Sequence, residues 1–407
     1  MSKTIIIIGA GLAGLSAALQ AAENGCNVKL VSSLPSERAQ SVMAEGGINA
    51  ALNTKDENDS PEEHFTDTIK AACGLADPNA VWGMTQAAPE LVHWLLKLGV
   101  KFNMSGYDDV DLRNFGGQKK KRTAFAQSDT GKQIMTAMID AVRRKEAFGM
   151  VERFSHHSFL TLRLCGNICC GCVIRDEYSQ ETVELPGDAV IVATGGMHGL
   201  FGNTTGSLSN TGEVTAELFR LGVPLANGEM IQYHPTTVKC GGKRMLISEA
   251  ARGEGGRLFA MKDGKQWYFM EEKYPELGNL MPRDITAREI WKVSHESEVF
   301  LDMTEISEKI ISNKLSGLAD DCMTYLHKDI RKEPVSVLPG IHYFMGGILV
   351  DEQHRTPIQN LYAAGECCAQ YHGANRLGGN SLLGALYGGR VAAKSACEQA
   401  DVVDLSC

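Results

Sequence analysis

The first residues whose spacing could support chemistry are glycines near the amino terminus. Residues 9–14 read Gly-Ala-Gly-Leu-Ala-Gly, the GxGxxG pattern, between a β-branched run at 4–8 and an Ala/Leu-rich stretch. In such a motif Gly9 permits a tight turn, Gly11 lets the backbone approach a pyrophosphate, and Gly14 lets helix and strand pack closely. The amino terminus of the helix then faces the phosphate charge. The pattern predicts a dinucleotide site, and the alternative is a glycine-rich turn without a ligand.

The kind of dinucleotide follows from the ends of the other strands. An acidic residue usually ends the second strand of a NAD-binding unit, where it binds the ribose hydroxyls. Ser32 and Ser33 stand there, which weakens a simple NAD interpretation. Two more buried runs end in small-residue turns, at Ala193-Thr194-Gly195-Gly196 and at Gly365-Glu366. Three glycine-marked strand ends suit a long ligand that crosses the sheet edge, and they favour FAD.

Hydrophobic periodicity and turn residues predict the elements that position these motifs. The first unit is a strand at 4–8, a helix at 12–24 that Gly25 closes, and a strand at 27–32. This order is a βαβ unit. The same reasoning predicts helices that start at Pro61 and Pro78 and helices at 130–145 and 381–400. It also predicts short strands within 150–186 around a turn near Gly166, a buried strand at 188–193 and strand-like runs within 346–364.

The two ends of the chain resemble each other, whereas the middle differs. Residues 227–340 contain Gly-Gly, Asp-Gly and Pro-Glu turns and fewer long apolar strands. Alternating strands and helices at both ends are typical of the α/β class. The pattern therefore predicts one discontinuous α/β domain that carries an insertion.

Composition excludes several classes of protein. Of 407 residues, 43% are hydrophobic and 22% are charged, as in globular rather than disordered or fibrous proteins. The formal net charge is −9, so nucleic acid is a poor candidate partner. The 12 cysteines are scattered and lack paired CxxC spacing. We therefore predict no metal site, and free thiols in a reducing cytoplasm.

One segment could be mistaken for a targeting sequence. Residues 5–22 contain no charge, and 18 such residues reach the length of a transmembrane candidate. With Met-Ser-Lys before it, the run also resembles a signal peptide. The three glycines at fixed spacing favour a strand, a turn and a buried helix instead. No other run approaches bilayer length, so we expect no transmembrane segment.

Six further motifs point to a family. They are 41–48 (SVMAEGGI), 232–236 (QYHPT), 249–256 (EAARGEGG), 282–284 (PRD), 342–348 (HYFMGGI) and 372–382 (HGANRLGGNSL). In this order they resemble the flavoprotein subunit of fumarate reductase and succinate dehydrogenase, in a superfamily that includes L-aspartate oxidase. The resemblance runs from residue 3 to about 397. It implies a Rossmann-like FAD-binding domain, a parallel sheet with helices, at 1–226 and 345–407. An α+β capping domain at 227–344 would interrupt it, and a dicarboxylate would lie between the two.

The resemblance also implies roles for individual residues. FAD would contact Gly9, Gly11, Leu12, Ala13, Gly14, Ser32, Ser33, Ser41, Glu45, Gly46, Gly47, Ala193, Thr194, Gly195, Glu213, Gly365, Glu366, Ser381 and Leu382, with Glu213 where the family usually has Asp. The substrate would meet His234, Ser248, His342 and Arg376. Arg283 would transfer the proton, and Glu249 and Arg252 would form the relay that restores it.

The chemistry explains why such residues are needed. Fumarate reduction adds a hydride, which flavin N5 would supply, at one alkene carbon and a proton at the other. Arg376 can clamp one carboxylate with two hydrogen bonds, and the two histidines and the serine can bind the other. The ordinary pKa of Arg is above about 12, so Arg283 can donate only if other cations crowd it and a relay restores its proton. Glu249 and Arg252, three residues apart, would share one face of a helix.

Each of these residues also has a simpler interpretation without the family. Arg283 could form a helix-start ion pair with Asp284. His234, before Pro235, could be a capped turn residue, and His342 could be a histidine of the core.

Two features depart from the family. Members of membrane complexes carry a histidine that bonds covalently to FAD, whereas Gln40 occupies its place here. We therefore expect dissociable FAD and, because covalent attachment generally raises the flavin potential, fumarate reduction rather than succinate oxidation. Family members also continue into a helical domain that contributes to partner docking, so a standard iron–sulfur partner is left open and the electron donor is unknown.

L-aspartate oxidase is the main alternative. Its substrate carries an ammonium group, which an acidic residue should face. The stretch from Arg113 to Arg122 (RNFGGQKKKR) contains no acid and fits the fumarate reductase pattern. Another unsaturated dicarboxylic acid, or a flavin carrier without turnover, are the remaining alternatives.

Overall fold

A computed structural model describes residues 2–106 and 109–400. The strands are β1 (Thr4–Ile8), β2 (Asn27–Ser32), β3 (Ile48–Asn49), β4 (Leu112–Arg113), β5 (Thr123–Ala124), β6 (Val151–Ser155), β7 (His157–Cys165), β8 (Ile168–Asp176), β9 (Thr182–Pro186), β10 (Ala189–Val192), β11 (Leu225–Ala226), β12 (Ile231–Cys240), β13 (Lys243–Leu246), β14 (Arg257–Lys262), β15 (Lys265–Trp267), β16 (Val299–Asp302), β17 (Val335–Ser336), β18 (Leu338–Phe344), β19 (Gly347–Leu349), β20 (Leu361–Ala363) and β21 (Cys368–Ala369). The helices are α1 (Leu12–Glu23), α2 (Pro61–Ala71), α3 (Pro78–Lys97), α4 (Thr130–Ala147), α5 (Glu213–Arg220), α6 (Glu249–Gly253), α7 (Phe269–Lys273), α8 (Arg283–Val293), α9 (Glu308–Lys314), α10 (Ser316–Asp321) and α11 (Asn380–Gln399).

A parallel five-stranded sheet forms the centre of the fold. Its strand order is β20-β10-β1-β2-β6, and each neighbouring pair is parallel. The carboxyl ends of β1, β10 and β20 therefore meet at one edge, where Gly9, Thr194 and Gly365 follow. In open parallel sheets, ligands bind at this edge. The arrangement confirms the α/β class with a Rossmann-like parallel sheet.

The central strand, β1, is buried on both faces. Its successive side chains point to opposite faces of the sheet, so they enter two different cores. Ile5 and Ile7 belong to a core shared with α1, α4 and α11. Ile6 and Ile8 belong to a second core shared with β7 and β8. The four side chains are at most 4% exposed. A continuous β-branched run is what a parallel strand covered on both faces requires.

The middle of the chain forms separate antiparallel sheets. Strand β12 pairs with β13 and β18, and β14 pairs with β15 and β16. A third core lies here, and apart from Phe115 its buried members fall between Ile247 and Val337. This agrees with the change in sequence character within 227–340. The exact division at 1–226, 227–344 and 345–407 stays a prediction.

Helices begin where capping residues satisfy their first N–H groups. Asp77 Oδ1 accepts from the N–H groups of Asn79 and Ala80 at 2.8 and 3.2 Å, so α3 begins at Pro78. Ser60 Oγ accepts from the Glu63 N–H at 3.2 Å at the start of α2. The predicted helices are confirmed, with ends shifted by one or two residues: α1 ends at Glu23, α4 extends to Ala147, and α11 spans Asn380–Gln399.

The charge-free run at 5–22 forms most of β1 and α1. Within 2–106 and 109–400, no helix has the length and apolar character needed to cross a membrane. Ten cysteines in this part of the chain, besides Cys165, are free thiols, and Cys407 lies outside it. The same residues contain no group of three or more His, Cys, Asp or Glu side chains placed to hold a metal ion.

Candidate active site

A cleft of about 670 Å³ lies at the carboxyl edge of the central sheet. Residues that follow β1, β2, β10 and β20 line it, together with residues of β12, β13, α6, α8 and β18. The cleft contains Ser32 and Ser33 as well as His234, Arg283 and Arg376. The fold therefore brings the glycine-marked strand ends and the motifs of the middle region to one cavity.

The turn between β1 and α1 consists of glycines for a steric reason. At Gly9 the φ angle is +110°, and a Cβ would lie 2.3 Å from Ala193 O. At Gly14 a Cβ would lie 1.8 Å from Gly9 O, so only glycine lets α1 pack this closely. At Gly11 the nearest atom to a Cβ would be Ser41 Oγ at 3.7 Å. The turn is tight where it meets protein and open at Gly11, as a pyrophosphate would require.

The residues assigned to FAD from the sequence lie around this cleft, with one exception. Gly14 does not line it and acts through packing against Gly9. The lining residues are Gly9, Gly11, Leu12, Ala13, Ser32, Ser33, Ser41, Glu45, Gly46, Gly47, Ala193, Thr194, Gly195, Glu213, Gly365, Glu366, Ser381 and Leu382.

Five buried polar atoms of residues that line the cleft have no hydrogen-bond partner within the described residues, and Ser32 Oγ and Glu45 Oε2 are two of them. Such an atom costs about 1–3 kcal/mol when it stays unsatisfied. Burial, followed by the charges of Asp321 and Asp129, raises the pKa of Glu45 to about 8, so this carboxyl can donate at neutral pH. A ligand with hydroxyl and amide groups satisfies both atoms, and the residues present fit FAD.

A buried ion pair joins Arg283 to Glu249. Arg283 Nε and Nη2 donate to Glu249 Oε2 at 2.8 and 2.7 Å. Glu249 Oε1 accepts from the Gly116 N–H at 2.9 Å and lies 3.4 Å from Arg252 Nη2. Burial raises the pKa of Glu249, but Arg283 and Arg252 lower it further, so it lies below its ordinary value. The carboxylate is therefore ionised between two cations.

Local sequence explains this cluster. Ser248 Oγ accepts from the Ala250 N–H at 3.4 Å and begins α6. The helical spacing then puts Glu249 and Arg252 on one face. Arg283 is the first residue of α8, directly after Pro282.

Arg376 lies in the loop before α11, and its charge is unpaired. No carboxylate within 2–106 and 109–400 forms an ion pair with it; Nη1 donates to Leu377 O at 3.3 Å, and Nε has no partner. The guanidinium carbon lies 4.3 Å from the centre of the Tyr343 ring, a cation–π contact. Burial, followed by the charge of Arg283, lowers the pKa of Arg376 to about 9. A buried unpaired cation that lines a cleft favours an anionic ligand.

His234 and His342 line the cleft as neutral donors. Their ring centres are 5.1 Å apart. Burial, followed by the charge of Arg283, lowers both pKa values well below the ordinary value. His234 Nδ1 contacts the main chain of Thr236, at 3.1 Å from the carbonyl oxygen and 3.2 Å from the nitrogen. His342 Nδ1 contacts Thr205 Oγ1 at 2.8 Å.

Gln232 belongs to this site, and sequence reasoning missed its role. Its Oε1 accepts from Arg283 Nη1 at 3.0 Å, and its Nε2 donates to Asn375 Oδ1 and Arg376 O at 2.8 and 2.7 Å. The available signal was strand periodicity, because Gln232 and His234 are two residues apart on β12 and share a face. Asn375 Nδ2 in turn donates to Asp284 Oδ1 at 3.0 Å.

The structure also shows whether three other positions discussed above line the cleft. Phe115, the member of the 113–122 stretch that lines the cleft, is apolar and 1% exposed. Gln40 also lines the cleft. Arg252 does not, and contacts it only through Glu249.

Comparison with known proteins agrees with this geometry. The family described as "FAD binding domain" matches residues 4–382. The succinate dehydrogenase flavoprotein subunit of Bacillus subtilis (strain 168) is 44% identical, over 99% of this chain and 70% of that protein. An L-aspartate oxidase of Streptomyces coelicolor is 34% identical, over 97% of this chain and 68% of that protein.

Among solved structures, a mutant FrdA chain of E. coli quinol fumarate reductase is similar with a TM-score of 0.91. It is 31% identical, over 98% of this chain and 70% of that chain. The chain therefore belongs to the family of FAD-dependent oxidoreductase flavoproteins that includes succinate dehydrogenase and fumarate reductase.

Proposed function

We propose that this chain uses FAD to interconvert fumarate and succinate, and that it works as a fumarate reductase. The observation that carries the proposal is the charge of four buried side chains. Arg252, Arg283 and Arg376 supply three positive charges, and Glu249 supplies one negative charge. The excess of two positive charges is balanced by a substrate with two carboxylates, because buried charges require compensation.

The binding step divides the substrate between two groups of donors. Arg376, whose Nε has no partner within the described residues, takes one carboxylate in two charge-assisted hydrogen bonds. His234, together with His342 and Ser248, takes the other carboxylate. Donors aimed at a carboxylate also stabilise the enolate-like charge that develops at that end in the transition state.

The proton step uses the ion pair described above. FAD, when bound and reduced, supplies the hydride. Arg283 delivers the proton to the other alkene carbon and holds its position through Glu249 and Gln232. Arg252 then passes a proton to the Glu249 carboxylate, Glu249 passes it on to Arg283, and a proton from solvent restores Arg252.

FAD attachment is proposed to be non-covalent. Gln40 lines the cleft with an amide in place of the family's flavin-bonding histidine. An amide lacks the nucleophilic ring nitrogen that such a bond needs. We further propose a cytoplasmic enzyme, in keeping with ten free thiols among the described residues, and a separate electron donor or redox partner.

Anaerobic flavin oxidation tests the function. The purified yellow protein is photoreduced, fumarate is added, and the oxidised flavin band is followed. We expect rapid reoxidation, loss of it in Arg283→Ala, and retention in Arg288→Ala, an exposed position on the same helix α8. No reoxidation of the wild-type protein by fumarate would contradict the proposal. Bleaching of the oxidised protein by L-aspartate would instead favour the oxidase.

A further inference from the structure

The inner side of Arg252 contacts Glu249, and its outer side contacts Asn279. Arg252 Nη1 donates to Asn279 O at 2.6 Å. Its Nε and Nη2 have no hydrogen-bond partner within the described residues, and Nη2 is 3.4 Å from Glu249. The side chain is fully buried. The Asn279 carbonyl is therefore the short contact that fixes the orientation of this guanidinium group.

Asn279 is in turn held by two bonds of its own side chain. Its Oδ1 accepts from the Leu258 N–H at 3.0 Å, and its Nδ2 donates to Glu271 Oε1 at 2.9 Å. The residue lies in a short 3₁₀ helix, Gly278–Leu280, close before Arg283 in the chain. A change in the Asn279 side chain would therefore move the carbonyl that holds Arg252.

Glu271 connects this chain of contacts to the solvent. Its side chain is 36% exposed, and its two oxygens accept from Arg257 Nε and Nη2 at 2.9 and 2.7 Å. Glu271 Oε1 thus receives bonds from both Arg257 and Asn279. A bidentate pair of this kind holds the carboxylate in one orientation.

We propose that Asn279 and Glu271 are positioning residues of the proton relay, which hold Arg252 in register with Glu249. The inference rests on the proposed function. Each reduction consumes one proton from Arg283. A proton from solvent must then reach Arg283 through Arg252 and Glu249. No electron moves along this chain of contacts. A relay residue displaced by about 1 Å can lower the rate about 100-fold.

The test compares Glu271→Ala and Asn279→Ala with the wild-type holoenzyme. We expect kcat for fumarate reduction to fall roughly tenfold or more, with KM and flavin content little changed. The solvent deuterium isotope effect on kcat should rise, because proton return becomes slower than hydride transfer. Glu271→Gln keeps an oxygen for Asn279 and should recover part of the rate. Glu272→Ala is the matched control, since the neighbouring Glu272 is exposed and accepts from Trp267 Nε1.

Three results would overturn the inference. The first is an unchanged kcat per bound flavin in Glu271→Gln and in both alanine variants. The second is a loss of thermal stability or FAD with kcat per flavin and the isotope effect unchanged, which indicates a structural role only. The third is a wild-type protein that does not reduce fumarate, which removes the proposed function and the inference with it.

Discussion

Gln232 and Arg283 are joined by a buried hydrogen bond of 3.0 Å from Nη1 to the amide oxygen. The amide nitrogen of Gln232 donates at 2.7 Å to the main-chain oxygen of Arg376. One side chain on β12 thus connects the arginine at the start of α8 to the loop that carries the second arginine. In the proposed reaction, this link sets the spacing between the proton donor and the carboxylate clamp.

Replacing Gln232 should therefore impair catalysis more than folding. In Gln232→Ala, Arg283 Nη1 and Asn375 lose a buried partner, and we expect kcat for fumarate to fall roughly 10- to 100-fold. Steady-state assays with a reduced dye, normalised to bound flavin, measure the effect. Tyr233→Phe is the control, because Tyr233 is the adjacent β12 residue and is 46% exposed. A kcat within twofold of the wild-type value in Gln232→Ala would contradict the assigned link.

The sequence allowed much of this site to be predicted where the constraint is local. The GxGxxG turn is dictated by sterics at Gly9 and Gly14, and the Glu249–Arg252 contact is dictated by helical spacing. Capping residues located the starts of α2 and α3 for the same reason.

Contacts between distant segments could not be predicted in this way. Gln232 bonds to Arg283, 51 residues away, and to Arg376, 144 residues away. Asn279 meets Arg252 only because α6 and the turn before α8 pack together. Tertiary packing determines these hydrogen bonds, and neither composition nor periodicity predicts them.

The charge on Arg376 predicts how dicarboxylate affinity depends on pH. Burial and Arg283 lower its pKa to about 9 in the free protein. A dianion binds the protonated guanidinium group, so affinity is full below pH 9 and falls as the pH rises through that value. The limiting slope is about tenfold per pH unit. The dissociation constant of malonate, measured from flavin spectral changes between pH 7 and pH 10, tests this.

Arg376→Gln is the control for this titration. It removes a charge-assisted interaction worth about 1.5–3 kcal/mol, so affinity at pH 7 should fall roughly 10- to 100-fold. Its remaining affinity should be flat across the same range. A wild-type affinity that stays constant to pH 10 would show that Arg376 does not bind the anion.

The close approach of α1 to the first strand predicts that Gly14→Ala loses FAD. The new Cβ would lie 1.8 Å from Gly9 O, so the helix must move and the turn that receives the pyrophosphate must open. We expect little bound flavin in the purified variant, measured as the ratio of flavin to protein absorbance. Gly202→Ala is the control, because nothing lies within 4 Å of a Cβ there. Full flavin content in Gly14→Ala would argue against this turn as the phosphate site.

The amide at position 40 predicts that the flavin leaves the protein on denaturation. Gln40 lines the cleft close in sequence to Ser41 and Glu45, which also line it, but an amide nitrogen is not a nucleophile. Acid precipitation of the holoprotein should therefore release the yellow colour to the supernatant, where chromatography identifies FAD. The precipitate, dissolved and run on a denaturing gel, should show no flavin fluorescence in the protein band. Fluorescence in that band would contradict the prediction, because it would mean that the flavin is bonded to the protein. If the fluorescence persists in Gln40→Ala, another residue forms the bond; if it disappears, Gln40 forms it.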